Sequence, residues 1–195
     1  MFYLHPHQFE TKTINASQLL KLYKLGEHNF SRVNLTQVSL EDTDLRDIKL
    51  WQANLAEINL SRTILKRANL NQSNLSSAIL WRTDLRFASL VQARCSRAML
   101  IRANLQQANL ACSLFDEADL RLVCLTETDL QGADLSRANL SYADLRAANL
   151  SGANLNGTIL TGANLAQTNL SNTNFNQAIL TGANLSQAIL NLEAN

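Results

Sequence analysis

Residues 133–157 read ADLSR ANLSY ADLRA ANLSG ANLNG, which is one five-residue unit repeated without interruption. Each unit consists of a small residue, an Asn or Asp, a Leu, and two further residues that are mostly polar. The same register extends from residue 30 to residue 190, where every fifth residue is of a core-forming type. A period kept this long without an insertion predicts a repeat protein. The core-type positions that are not Leu are Phe30, Cys95, Phe115 and Phe175.

A period of five residues fits neither the 3.6-residue period of an α-helix nor the simple alternation of a β-strand. In an extended segment, the small residue and the Leu point to one side, while the Asn or Asp between them points to the other side. The two residues after the Leu then have to turn the chain. Repeated without drift, this unit predicts a solenoid with the Leu and small-residue columns inside it.

The unit resembles the motif of the pentapeptide-repeat family, A(D/N)LXX, which residues 133–137 and 153–157 match position by position. The resemblance implies an all-β solenoid, a right-handed quadrilateral β-helix with four pentapeptides in each coil, hence about eight coils here. Cys95 then lies one coil from Phe115, so that a small and a large residue share the space of two Leu. We therefore expect Cys95 to be a buried filler and not a nucleophile.

The N-terminal segment differs in sequence from the repeats. Asn15 or Ser17 can cap a short helix over residues 16–25, with Gln18 completing a capping box and Gly26 just past the helix end. We expect this helix to cover the first coil, because an uncovered coil would expose core residues and unpaired strand edges.

The chain is therefore divided into a lead-in and capping helix over residues 1–29, a β-helix over 30–192 and a tail over 193–195. No signal peptide or run of ~20 apolar residues is recognisable, which predicts a cytoplasmic protein without a membrane span. Cys112 and Cys124 occupy outward positions without disulfide or metal-site spacing, in keeping with a reducing compartment. We assign these two cysteines no chemistry.

Basic residues are concentrated between residues 61 and 105, where Asp84 is the one acidic residue, although the net charge of the chain is +1. With four pentapeptides per coil, these side chains stack in two neighbouring columns. They either form a solvated face with ion pairs to Asp44 and Asp84 or contact an acidic protein partner. Nucleic acid is less favoured because the band is short and has few aromatic residues. The candidate protein-binding residues are Arg46, Arg62, Lys66, Arg82, Arg86 and Arg102, with Trp81 at their margin.

The other end of the repeat lacks a segment long enough for a second capping helix. Family members often join through their C-terminal coils, so the resemblance implies a homodimer formed in the same way. The alternative is a frayed last coil shielded only by the tail. Ile159 and Ile179 lie one coil apart at a normally polar position, as an exposed aliphatic strip. The candidate dimer-contact residues are Ile159, Ile179, Ile189, Leu190 and Leu192.

Two activities are argued against by the sequence. DNA mimicry, the best-known activity in the family, would need about 23 negative charges on a rod of roughly 40 Å, at about one charge per 1.7 Å of DNA. The net charge of +1 is incompatible with that field.

The sequence also argues against catalysis. It contains no nucleophile motif and no phosphate-binding loop, and the flat faces of a rod offer no cleft. His5 and His7 lack a third metal ligand nearby, so we expect no metal, cofactor or enzymatic activity.

We therefore expect a non-catalytic module for protein–protein interaction, a regulator or a scaffold, that uses the basic face of coils two to four. A protein directed to nucleic acid and a self-associating structural spacer remain the alternatives. Residues 26–31, GEHNFS, follow the helix and resemble the cyanobacterial branch of the family. In that branch some members are small cytosolic regulators and others reside in the thylakoid lumen, so the resemblance names no partner.

Overall fold

The computed structural model describes residues 12–190. Parallel β-bridges join residues that are 20 positions apart, beginning with Asn29 to Lys49 and ending with Asn169 to Ile189. An additional bridge at the start, Thr13 to Asn34, spans 21 positions. Every pentapeptide supplies one bridge residue, so each turn of four pentapeptides has four bridged sides. The chain winds as a four-sided solenoid in the register that the family resemblance implies.

The bridge residues are isolated, and no longer strand occurs between residues 12 and 190. A two-residue turn begins directly after each Leu, which leaves too few extended residues on a side for a regular strand. Each coil is nevertheless bonded to both of its neighbours. The Leu50 N–H donates to the Asn69 carbonyl at 2.7 Å, and the Asn54 N–H donates to the Val33 carbonyl at 2.9 Å.

From Arg32 to Gln187, the second residue after each core position of the repeats has a left-handed backbone conformation. Its φ is 54° at Gln52, for example, and 69° at Gly182. The turn closes through a hydrogen bond from the small residue to the preceding Leu, as between the Ala53 N–H and the Leu50 carbonyl at 3.1 Å. A positive φ at the third of four turn residues alone is the mark of a type II turn. The glycines within the repeats therefore occupy turn positions, as their register predicts.

The interior is filled by the Leu and small-residue columns. Leu55 and Leu100 have no exposed surface, and the same is true of Cys95, while Phe115 is almost fully buried. The Cys95 N–H donates to the carbonyl of Leu114 at 2.6 Å, which places Cys95 one coil from the residue after Leu114. The prediction that Cys95 is a buried filler is confirmed.

Buried hydroxyl groups in the small-residue column bond to the main chain. The Thr63 hydroxyl donates to the Leu40 carbonyl at 2.8 Å, and the Ser73 hydroxyl donates to the Leu70 carbonyl at 2.7 Å. Within residues 12–190, no buried side-chain nitrogen or oxygen lacks a hydrogen-bond partner. The polar core residues therefore cost little desolvation energy, since each lost water is replaced by a carbonyl.

Helix α1 spans Ala16–Lys24 and packs against the start of the solenoid. Asn15 Oδ1 accepts the Gln18 N–H at 2.9 Å, while Gln18 Oε1 accepts the Asn15 N–H at 3.0 Å, so the predicted capping box is present. Leu19 is fully buried in the same core cluster as the Leu columns. The Tyr23 hydroxyl donates to the Arg46 carbonyl at 2.8 Å, which fixes the helix to the first coil.

The last described coil is more open than the others. Phe175, Leu180 and Leu185 are only partly buried, and Leu190 is 50% exposed. No further coil lies over these side chains within residues 12–190.

The predicted C-terminal contact residues do not form one strip. Ile159 and Ile179 are bridged to each other, and Ile179 is 47% exposed. Ile189 is bridged to Asn169 in a separate ladder half a coil away, so it does not extend the strip of Ile159 and Ile179. Its closeness in sequence to Ile179 did not translate into closeness in space because ten residues turn the chain through two corners. Leu192, His5 and His7 lie outside the described residues.

Candidate functional site

One side of the solenoid brings the predicted basic residues together. We define this basic face by its central ladder, which runs from Asp44 through Ile64 and Asp84 to Asn104. Turn residues one coil apart flank this ladder as two columns, as the register of the bridges requires. The first column contains Arg62, Arg82 and Arg102, and the second contains Arg46, Lys66 and Arg86.

The acidic residues of the central ladder neutralise part of the second column. Arg86 Nε and Nη2 donate to the two carboxylate oxygens of Asp84 at 2.8 and 2.6 Å. Arg46 also pairs with the Asp two positions before it, Asp44, at 3.2 Å. The hydrogen bond from Arg86, together with its charge, lowers the pKa of the Asp84 carboxyl despite partial burial. Arg86 therefore keeps the Asp84 carboxylate ionised to a lower pH than an ordinary aspartate.

The same pairing recurs wherever the sequence reads Asp-Leu-Arg. Arg121 bonds to Asp119 at 2.7 Å, and Arg146 bonds to Asp144 at 2.7 Å, again between residues two positions apart. The pKa of Asp144 is lowered chiefly by the side-chain hydrogen bond from Arg146. This three-residue pattern was visible in the sequence. The ion pairs to Asp44 and Asp84 that the sequence offers for the basic columns are formed, whereas the pairs of Arg121 and Arg146 were not predicted.

Arg62 is also neutralised. Its Nε and Nη2 each donate to a different oxygen of Asp42, one coil earlier, at 2.6 Å, and its Nη2 lies 2.9 Å from Glu41 Oε1. The hydrogen bond from Arg62 lowers the pKa of Asp42. Solvent-exposed pairs of this kind contribute little to stability, but they remove charge from the surface that a partner meets.

Lys66, Arg82 and Arg102 have no acidic partner within residues 12–190. Lys66 Nζ lies 5.3 Å from the centroid of the Phe87 ring, and Arg82 Cζ lies 5.3 Å from that of Trp81. The unneutralised positive charge of the basic face is therefore concentrated on Arg82 and Arg102, because the Lys66 charge also lies close enough to Asp84 to lower the pKa of that carboxyl.

The two tryptophans pack against arginines at different corners. Trp81 has the guanidinium of Arg62 at 5.5 Å and that of Arg82 at 5.3 Å from its ring centroid. Trp51 has the guanidinium of Arg32 at 4.6 Å. Each contact is of the cation–π type. Both indoles are only partly exposed.

An open groove of about 520 Å³ begins at Trp81 and follows the same corner toward the C-terminus. The rod is ridged at this corner, because large side chains stand at turn positions next to small ones. Tyr142 is 64% exposed and Leu122 is 46% exposed, beside the short side chain of Ser141. The residues lining the groove are Trp81, Ile101, Arg102, Arg121, Leu122, Ser141 and Tyr142.

Other candidate chemistry finds no support in the described part of the chain. Residues 12–190 contain no group of three or more His, Cys, Asp or Glu side chains placed to hold a metal ion. No helix in that range is long and apolar enough to cross a membrane. Cys112 is exposed, and Cys124 Sγ lies 3.5 Å from the Thr126 hydroxyl oxygen. Burial raises the pKa of the Cys95 thiol, which makes it a poor nucleophile.

Comparison with known proteins assigns the repeats to a described family. The family model "Pentapeptide repeats" matches in 8 copies, over residues 24–52, 43–82, 82–111, 118–157 and 158–191. No curated protein matches the chain significantly.

Several solved structures are similar to this chain. QnrB1, a plasmid-mediated fluoroquinolone resistance protein, superimposes with a TM-score of 0.53 at 16% identity, over 78% of this chain and 88% of that one. HetL of the cyanobacterium Nostoc sp. strain PCC 7120, involved in heterocyst differentiation regulation, shares 29% identity over 90% of this chain and 94% of its own, with a TM-score of 0.44. A thylakoid-lumen pentapeptide repeat protein of Arabidopsis thaliana shares 36% identity over 46% of this chain and 59% of its own, with a TM-score of 0.38.

Proposed function

Because this chain belongs to the pentapeptide-repeat family, whose members fold as right-handed quadrilateral β-helices, we propose that it acts as a rigid, non-catalytic module that binds another protein. The rod comprises about eight coils, and α1 serves as the lid of its first coil. Coils that are hydrogen-bonded on both sides hold surface side chains at fixed spacings. Such a surface suits recognition without a change of shape, which reduces the entropic cost of binding.

The observation that supports this function best is the uneven neutralisation of the basic face. Arg46, Arg62 and Arg86 are ion-paired, whereas no acid within residues 12–190 meets Arg82 or Arg102. Cations that stand in one column repel each other, by roughly 1 kcal/mol at about 4 Å in bulk water. An acidic partner would relieve that repulsion. Of the predicted binding residues, Arg82 and Arg102 are therefore the ones that contribute charge to a contact.

Charge reversal on the basic face tests this function. The variant Arg82→Glu/Arg102→Glu and the wild type serve as bait for affinity capture from the native host. Lys49→Glu/Arg94→Glu is the matched control, since it changes the net charge equally at other bridge ladders. We expect the wild type and the control to recover the same stoichiometric protein, and the Arg82/Arg102 variant to lose it.

An unchanged set of proteins on the Arg82/Arg102 variant would reject the basic face as the contact surface. Recovery of nucleic acid in place of protein, with salt-dependent binding, would favour the alternative function.

We also propose that two copies associate through the last coil. The open ring of Phe175, Leu180, Leu185 and Leu190 is apolar and has no covering coil within the described residues. Leu190→Glu should lower the sedimentation coefficient at high concentration, whereas Leu25→Glu, on the 76% exposed residue after α1, should not. A concentration-independent monomer for the wild type would contradict this association.

A further inference from the structure

The groove next to Trp81 combines free positive charge with exposed apolar surface. Arg102 lines it and has no carboxylate partner within residues 12–190. Arg121 also lines it, but this guanidinium is bound by both oxygens of Asp119, at 2.8 and 2.7 Å. Arg62, on the N-terminal side, is neutralised by Asp42. The charge available to a ligand therefore comes from Arg102, which lines the groove, and from Arg82, whose guanidinium lies over the ring of Trp81 at the end of the groove.

The other end of the groove is apolar. Leu122 and Tyr142 follow Arg102 in the same column, one and two coils further on, and are 46% and 64% exposed. Gly162 follows Tyr142, and a Cβ at that position would lie 2.6 Å from Tyr142 Cε1, so the ring lies directly over the glycine. An exposed aromatic ring and an exposed Leu beside a cation are the side-chain types that act as anchors at protein interfaces.

The equivalent turn columns at the other corners satisfy themselves. At one corner Arg67 pairs with Asp47 at 2.6 Å, and at another Arg97 pairs with Glu117 at 2.8 Å. At a third corner the side-chain amide of Gln52 donates to Gln72 at 2.8 Å. The corner with the groove is thus set apart within residues 12–190 by two arginines without acidic partners in one column with two exposed apolar side chains, while the column of Arg67 has a single exposed apolar residue, Phe87.

The length of the groove limits what fits it. Trp81 and Tyr142 are three coils apart, which corresponds to roughly 14 Å at ~4.8 Å per coil. An extended chain covers that distance with about four or five residues, at ~3.3 Å per residue. The charge end and the apolar end, represented by Arg102 and Tyr142, are separated by about 10 Å, or roughly three such residues.

We propose that the groove binds a short extended peptide segment of the partner protein, with one or two Asp or Glu residues at Arg82 and Arg102. A Leu, Ile or aromatic side chain two to four residues away packs on Leu122 and Tyr142. The segment lies along the rod axis, and Trp81 closes the charged end. This inference rests on the proposed function, of which it specifies the partner chemistry.

A positional-scanning library of acetylated, amidated hexapeptides tests the proposal on the full-length protein. Trp51→Phe leaves Trp81 as the single tryptophan of a chain that contains 2, so its fluorescence reports on the groove. We expect selection for an acid and, two to four positions away, for a large apolar residue. Arg102→Gln should weaken the selected peptide about tenfold, the effect of losing one charged hydrogen bond.

Two further variants separate the ends of the groove. Tyr142→Ala should remove the apolar preference and keep the acidic one, while the double variant Arg82→Gln/Arg102→Gln should do the reverse. Arg94→Gln removes the same charge as Arg102→Gln, from another ladder, and should leave the affinity unchanged. Absence of position-specific selection, equal weakening by Arg94→Gln, or binding of a dT10 oligonucleotide in preference to every peptide would overturn the proposal.

The outcome is separable from that of the protein capture. If affinity capture recovers a partner through the basic face while the library shows no selection, the protein-binding function is supported and peptide binding by the groove is rejected. If the library selects peptides but affinity capture recovers no protein, peptide binding by the groove is supported and the binding of a protein from the native host is contradicted.

Discussion

At the scale of single residues, the second turn position of each pentapeptide shapes the surface. Its positive φ is tolerated by many residue types here, from Arg62 at 56° to Tyr142 at 58°, because each turn is closed by backbone hydrogen bonds. The side chain at this position projects from a corner and meets the equivalent residue of the next coil. Whether that neighbour is acidic, as Asp42 is for Arg62, or small, as Gly162 is for Tyr142, decides whether the corner is neutral or open.

A glycine substitution tests the contact that exposes Tyr142. Gly162→Ala places a methyl group against the Tyr142 ring, whereas Gly152→Ala meets nothing within 4 Å at nearly the same φ. In both variants an Ala has to adopt a left-handed backbone conformation, which costs about 1–2 kcal/mol. Because the ring is exposed and can swing aside, we expect their unfolding free energies in urea to differ by less than about 1 kcal/mol. The Tyr142 ring resonances in NMR spectra should shift only in Gly162→Ala, and equal spectra would contradict the packing.

Thiol reactivity tests the burial of Cys95. Its side chain has no exposed surface, and its raised pKa keeps it protonated, while Cys112 is exposed. Only the thiolate reacts with a disulfide reagent. At pH 8 we expect Cys112 to react fastest and Cys95 to react only after unfolding, as read by mass spectrometry of peptides. Cys95→Ala should leave the fast phase unchanged, and rapid labelling of Cys95 in the native protein would refute its placement.

At the scale of elements, the order of the repeats was predictable and the details of the surface were not. The small residue and the Leu of each unit face inward, because side chains alternate between the two sides of an extended segment. The capping box of α1 was predictable from Asn15 and Gln18 alone. The groove at Tyr142 depends on the relative sizes of residues one coil apart. Side-chain size at corners has no period, so the sequence pattern contained no signal for it.

The ion pairs also divide into features that the sequence could predict and features that it could not. Arg62 with Asp42 was accessible from the spacing of one coil, and Arg86 with Asp84 from the spacing of two positions. Several acidic residues lie within reach of an arginine, and its side-chain rotamer determines which of them it pairs with. The sequence pattern does not determine that rotamer. The absence of regular strands within residues 12–190 likewise followed from the turns taking two residues of every five.

The packing of α1 is tested by a pair of leucines. Leu19→Ala removes a fully buried side chain from the core cluster, whereas Leu25→Ala alters a residue that is 76% exposed. A buried Leu to Ala change costs about 2–5 kcal/mol. We expect that loss in the urea unfolding free energy for Leu19→Ala and less than about 0.5 kcal/mol for Leu25→Ala. Equal effects of the two changes would show that the helix does not protect the first coil.

At the scale of the whole molecule, one geometric fact links the fold to the proposed function. Residues 20 positions apart are neighbours along the rod, as the bridges from Asn29 to Ile189 show. That register stacks Arg82 on Arg102, lines up Leu122 and Tyr142, and so creates the groove. A different register would scatter these side chains over several faces, and neither the basic face nor the peptide site would exist.

The native Cys112 provides the most direct measurement of this register. Gln92 lies one full coil before it, and the Gln92 N–H donates to the Ala111 carbonyl at 3.0 Å, so the two residues face each other across adjacent coils. Bridged neighbours lie ~4.8 Å apart, within the usual Cα separation of disulfides, about 4.4–6.8 Å. Gln107 is only one pentapeptide from Cys112 but occupies the adjoining corner.

In a Cys124→Ser background, mild oxidation of Gln92→Cys should form a disulfide with Cys112, seen as a two-hydrogen mass loss and protection of both thiols from alkylation. Gln107→Cys should remain reduced under the same conditions. Disulfide formation in Gln107→Cys without formation in Gln92→Cys would contradict the coil of four pentapeptides and the functional surface built on it.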